Sequence, residues 1–174
     1  MPHPFKECHP PTDQGGFMLE TGLNRYNKHE IQEDEVNQSK ARFNILRGLD
    51  LDIDIETQGT MSFWDWEFFR NNKIIAIGEY RRRFCNFGTF QDFQFSKKKF
   101  NAMIEKGNVE NIPAYMFVEF NDCFLYFIVE GNPPIKVMKR NHEIRTEECV
   151  CIFNDLFVPV STFKIDIKPS RLFV

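Results

Sequence analysis

The spacing of hydrophobic and polar residues changes period several times along the chain, and each change marks an element. From about Asn27 to Arg47 the period is helical. Ile31, Glu35, Gln38, Arg42 and Ile45 trace one side, and Val36, Phe43 and Leu46 supply an apolar stripe. Glu30, Glu33, Asp34 and Glu35 crowd the first half and Lys40, Arg42 and Arg47 the second, a polarity that complements the helix dipole, with Gly48 suited to the C′ position. Leu49, Leu51, Ile53 and Ile55 then alternate with Asp50, Asp52, Asp54 and Glu56, which predicts an amphipathic strand with one wet face. The acidic row lacks the glycine and closing glutamate of a calcium loop. It fits the exposed side of an outer strand, where charge discourages edge pairing.

The next stretch, Phe63 to Arg83, is the one the chain is organised around. Runs rich in Phe, Trp, Ile and Tyr stand on either side of Asn71-Asn72 and predict two strands folded back on each other. A three-residue connection, Asn71 to Lys73, pairs Arg70 with Ile74 and sets Asp65 opposite Glu79. A two-residue connection slips the register by one and sends the two acids to opposite faces. On the first reading the carboxylates stand roughly 5 Å apart at Cβ, with Arg81 one step along the same face. Carboxylates that close repel unless something positive lies between them, and a hard divalent ion is the usual solution.

Downstream, Phe84 to Phe95 reads as a polar-aromatic connection. Ser96 is a candidate N-cap, Phe100, Met103 and Ile104 recur at helical spacing, and Gly107 is the expected stop. Lys97, Lys98 and Lys99 fill the first turn, the unfavourable end for cations unless an anion docks there. Ala114 to Phe120 and Cys123 to Val129 predict a central hairpin around Asn121-Asp122, apolar on both faces. Ile135 to Arg145 is ambiguous and basic, Cys149 to Phe157 is apolar, and Phe163, Ile165 and Ile167 suggest a closing strand.

Composition narrows the class. The 174 residues, 42% hydrophobic and 27% charged, suit one globular domain over residues 25–174 with a C-terminal strand extension, preceded by an irregular arm over residues 1–24. No apolar run is long enough to span a membrane, and the start lacks the apolar core of a signal peptide. A net charge of −3 argues against a generally basic nucleic-acid coat, though local clusters can still hold phosphate. Five scattered cysteines fit free thiols in a reducing compartment, so a cytoplasmic location is expected, in the host cytoplasm if the protein is viral. Cys8-His9 near His3, and Cys149-Val150-Cys151 near His142, lack metal-site spacing and read as tail and core thiols. Twenty phenylalanines make the core aromatic.

An acidic helix, a strand, a hairpin bearing Asp65, the fourteen-residue step to Glu79, the strand end Glu79-Tyr80-Arg81-Arg82-Arg83, the Ser96–Asn101 helix start and the strand in Ile112–Asp122 resemble together the PD-(D/E)XK nuclease superfamily. The likeness is to small phage- and virus-type members and, more distantly, to Holliday-junction resolvases. It implies an α/β fold, a mixed central β-sheet flanked by helices with a restriction-endonuclease-like core. It further implies one or two Mg²⁺ ions, with Mn²⁺ as a substitute, held by Asp65, Glu79 and the carbonyl of Tyr80, and completed by a helix glutamate, for which Glu35 is the candidate ahead of Glu33 and Glu30. Such an ion keeps several waters and lowers the pKa of one that attacks phosphorus.

Arg81 stands where the family has lysine. A guanidinium orients water or binds phosphate, but it is bulkier and does not deprotonate; Lys97 or Lys98 could supply an ammonium instead. Arg82, Arg83, Lys97, Lys98 and Lys99 are the expected phosphate contacts, giving salt-sensitive binding. The sequence therefore points to a Mg²⁺-dependent endonuclease acting on DNA, with catalytic roles for Asp65, Glu79 and Arg81. The alternative is a catalytically inactive nuclease fold that binds nucleic acid or protein. A homodimer is compatible with either.

Overall fold

The computed structural model describes residues 28–59, 61–140 and 145–165, with the side chains of residues 28–32, 140 and 145 left aside. The expected arm over residues 1–24, with Cys8 and His9, lies outside the described residues, as do His142 and Ile167.

Helix α1 (Lys28–Leu46) precedes three antiparallel strands, β1 (Ile53–Thr57), β2 (Trp66–Arg70) and β3 (Lys73–Arg82). After β4 (Asp92–Ser96) and helix α2 (Lys97–Glu110), strand β5 (Ala114–Glu119) lies parallel to β3, and β6 (Phe124–Ile128) returns antiparallel to it. β7 (Ile135–Arg140), β8 (Arg145–Phe153) and the two-residue β9 (Val158–Pro159) follow. The main sheet runs β1-β2-β3-β5-β6-β9, and β4-β8-β7 form a second sheet. This is the expected mixed α/β architecture.

The main sheet separates two cores. On one face Ala41 and Ile45 of α1 meet Ile53, Ile55, Trp66, Phe68, Tyr80, Phe117 and Phe163. On the other, Phe100 and Met103 of α2 and Phe93, Phe95, Val150 and Ile152 of the second sheet cover Ile77, Met116, Val118 and Phe127. Burying two faces explains why β5 is apolar throughout. β1 is an edge strand, as the acidic row suggested, and Asp50 and Asp52 both reach Arg70 at 2.9 Å.

Five details differ from the sequence reading. The apolar stripe on α1 is Ala41 and Ile45, whereas Val36 (51%) and Phe43 (63%) are exposed. α2 continues past Gly107 to a left-handed cap at Asn111; a Cβ on Gly107 would stand 2.9 Å from the carbonyl of Ile112, so glycine is there for close packing rather than to stop the helix. The Phe84–Phe95 connection contains β4, and the second sheet was not foreseen. Phe163 is buried against the α1-side core without joining a strand; β9 closes the main sheet instead. Cys123, Cys149 and Cys151 are free thiols, but Cys85 is disulfide-bonded, against the all-thiol reading.

Candidate active site

The site begins with the β2–β3 hairpin. Its connection has two residues, not three: Arg70 pairs with Lys73, and Asn71 (φ 51°) and Asn72 (φ 59°) adopt the left-handed conformation that such a turn requires. That register alone would separate the acids. A bulge then restores the alignment, because Phe69 pairs with Ile74 but Phe68 pairs with Ala76, leaving Ile75 as the extra residue. From there Trp66 faces Gly78, which sets Asp65 across from Glu79. The acids converge as expected, by a different route.

Asp65 is fixed on both sides. Its N–H donates to the carbonyl of Gly78 at 3.0 Å, its carbonyl accepts from Gln58 at 2.7 Å, and its Oδ2 accepts from the Tyr80 N–H at 2.9 Å. Glu79 lies on the α2 side of β3 with its side chain wholly buried. Its Oε1 meets Arg81 at 2.5 Å and Lys99 at 2.7 Å, while Oε2 is buried with no hydrogen-bond partner. Burial raises the Glu79 carboxyl above its ordinary range, and the Asp65 charge adds to that; Arg81 and Lys99 oppose it. The Arg81 guanidinium also reaches the Tyr80 carbonyl at 3.4 Å, so one cation holds two oxygens of the expected ligand set.

The first helix offers Asp34. Its carboxyl is raised by burial and by Asp65 and Glu35, and lowered by a hydrogen bond from Gln38 (3.0 Å) and by Arg81. Asp34 as a residue is exposed, so the coupling to Asp65 and Arg81 is the informative part. Glu35, the sequence candidate, is exposed one position further on and adds its charge to Asp34; the Glu30 side chain lies outside the described residues. The missed signal was the buried line of α1: seven residues before Ala41 stands Asp34. Likewise Lys99, not Lys97 or Lys98, reaches Glu79, because it lies one turn before the buried Met103 and faces the sheet.

The other basic candidates are distributed around this centre. Lys97 pairs with Glu148 at 3.0 Å. Arg82 donates to the carbonyls of Arg83 and Glu119 and to Oδ1 of Asn121, at 2.6, 2.9 and 2.9 Å. Arg83 lies over the Phe93 ring at 4.7 Å and reaches the Gln94 carbonyl at 3.5 Å. Lys98 lies over Phe63 at 5.6 Å. Behind the site, the Tyr80 hydroxyl donates to Glu119 Oε2 at 2.5 Å, a pair set by the parallel β3–β5 register.

The donor set suits a hard divalent ion: two adjacent carboxylates, a strand carbonyl, and a buried carboxylate oxygen left without a hydrogen bond. Among the described residues, no three His, Cys, Asp or Glu side chains form a ready-made cage.

Asp65 and Glu79 on adjoining strands are thus flanked by the ammonium of Lys99 and the guanidinium of Arg81. The chain belongs to the family described as "Phage putative PDDEXK endonuclease", whose pattern matches residues 25–164. Nucleases of this class generally use a divalent metal and act on nucleic acid. Among solved structures the chain is similar to Hjc, a Holliday junction resolvase from the archaeal hyperthermophile Archaeoglobus fulgidus, with a TM-score of 0.47 and 8% identity over 72% of this chain and 94% of that one. No curated protein matches it in sequence. No helix among the described residues is long and apolar enough to cross a membrane.

Proposed function

We propose that the protein is a Mg²⁺-dependent endonuclease, with Mn²⁺ as a substitute, that hydrolyses DNA phosphodiesters in the host cytoplasm. The observation that carries this reading is the unpartnered Oε2 of Glu79 beside Asp65, two acids held together in a partly buried site. Asp65 and Glu79, with the Tyr80 carbonyl, would hold the ion, and Asp34 adds negative charge to it from the helix. When bound, the ion supplies a water of lowered pKa and neutralises phosphoryl charge.

The chain's own groups do the rest. The Tyr80 N–H orients the Asp65 carboxylate. Lys99 favours the charged form of Glu79 against its burial and presents an ammonium where negative charge develops on phosphorus, the place left by the Arg-for-Lys change at position 81. Arg81 offers a second, planar donor set to a phosphate oxygen. Lys98, Lys97, Arg82 and Arg83 surround the centre with positive charge for backbone contacts.

A second reading draws on Arg81 itself. Its guanidinium is paired with Glu79 Oε1 and the Tyr80 carbonyl, so a nuclease fold that binds nucleic acid without cutting is the competing outcome. Incubating the purified protein with supercoiled, branched and single-stranded DNA in Mg²⁺ or EDTA separates the two. The proposal expects cutting abolished by EDTA and by Asp65→Asn or Glu79→Gln; retention of DNA without cutting in Mg²⁺, or in Mn²⁺ in its place, selects the silent fold.

A further inference from the structure

Two residues before Asp65, an aromatic side chain faces solvent. Phe63 is 39% exposed, whereas the next residue, Trp64, turns inward against the α2-side core. The segment carrying them is held in place. Ser62 N–H donates to the Gly59 carbonyl at 3.0 Å and Trp64 N–H to Ser62 Oγ at 3.3 Å, and Trp64 Nε1 donates to Glu67 Oε1 at 3.1 Å. With Asp65 itself pinned to Gly78, the backbone on either side of Phe63 is held relative to the acid pair.

The side chain beside that ring is Lys98, whose ammonium lies 5.6 Å from the ring centroid. Among the described residues Lys98 makes no hydrogen bond or ion pair, in contrast to its neighbours: Lys97 is paired with Glu148 and Lys99 with Glu79. The other exposed aromatic near the strand end sits under a committed cation. Phe84 lies under Arg82 at 4.9 Å, and that guanidinium is tied to three oxygen acceptors. Phe63 therefore combines a ring, a rigid mount and an uncommitted cation on a flexible stem.

We infer that Phe63 and Lys98 form a nucleotide shelf that takes an unpaired base next to the phosphate at the Asp65–Glu79 centre. This deepens the nuclease reading and rests on it for the location of the scissile phosphate. A base inside a duplex has both π-faces covered by its neighbours, so an exposed ring offers it nothing. An unpaired base, in an overhang, flap or branch, stacks on the ring while Lys98 swings from the ring to the phosphate of the same nucleotide. The shelf therefore selects substrates by strand pairing rather than by base identity.

The test is fluorescence anisotropy in EDTA, where the nuclease reading allows no turnover. Three DNAs are compared: a blunt duplex, the same duplex with a short single-stranded overhang, and that overhang made of abasic sites. The wild-type protein is expected to bind the base-bearing overhang about 5- to 150-fold more tightly than the abasic one. Phe63→Ala should erase that ratio and Phe63→Trp keep it, while Lys98→Ala weakens binding to every DNA and lowers its salt dependence. Equal affinity of the wild type for base-bearing and abasic overhangs overturns the shelf, whatever the variants do. So does a ratio that survives in Phe63→Ala. Cleavage of the same three DNAs in Mg²⁺ is read separately: a base-dependent ratio without cleavage sinks the nuclease reading and leaves the shelf. No binding to any DNA at low salt sinks both.

Discussion

The ammonium of Lys99, from the first turn of α2, stands 2.7 Å from Oε1 of Glu79 on β3. The strand position where the resemblance implies a lysine holds Arg81, and the ammonium at Glu79 comes from α2. If Lys99 is the group facing the phosphate, Lys99→Met should lower kcat about 10²- to 10³-fold, the usual cost of removing one preorganised charge donor. Lys97→Met, which removes a backbone contact and a pair with Glu148 but no group at the acids, should raise KM and leave kcat near wild type. Steady-state cleavage by the two variants decides it.

Asp34 and Glu35 make a paired control on one helix. Charge from Asp34 reaches Asp65 and Arg81, so Asp34→Asn should weaken apparent Mg²⁺ affinity about 10- to 100-fold. Glu35→Gln should leave it close to wild type. A Mg²⁺ titration of cleavage reads both, and the reverse ranking would return the helix role to Glu35.

Tyr80 predicts the alkaline behaviour of the fold. Burial, then the hydrogen bond to Glu119, raises its hydroxyl far above the ordinary range. Below about pH 9 both folded and unfolded chains keep the proton, and nothing changes. Above about pH 10 the unfolded chain releases it and the folded chain does not, so stability must fall as pH rises. Tyr80→Phe should flatten that limb in urea melts recorded between pH 8 and 11; an unchanged slope would mean that other groups cause it.

Gly78 faces Trp66 across the hairpin, and a Cβ there would meet Phe117 Cε2 at 2.9 Å and Phe68 Cε2 at 3.2 Å. Gly78→Ala is expected to cost about 1–3 kcal/mol in urea unfolding as the two rings are displaced. No loss of stability would show that the aromatic core yields more easily than its packing suggests.

Much of the site was legible because β periodicity is strict. Alternation along Phe63–Arg83 put Asp65, Glu79 and Arg81 on one face, and only one of two registers let the acids meet. The bulge at Ile75 was not legible: it has no composition signature, and it compensates a two-residue turn where the sequence left two loop lengths open. Asp34 was passed over because Val36 and Phe43 looked like the buried stripe of α1, when the small Ala41 marks it. Lys99 was one of three equivalent lysines until the helix phase, anchored by Phe100 and Met103, turned it toward the sheet. The second sheet escaped notice because β4 carries its inward phenylalanines, Phe93 and Phe95, between polar residues in a segment rich in turns. Long-range pairing with β8 decides that strand, and no local pattern announces it.

The most direct measurement is Mn²⁺ anomalous diffraction from crystals of the wild-type protein. The account predicts a peak between the carboxylates of Asp65 and Glu79, with Glu79 Oε2 turned toward it, and no such peak in Glu79→Gln crystals. A wild-type site left empty at saturating Mn²⁺, with Arg81 still paired to Glu79, would contradict it.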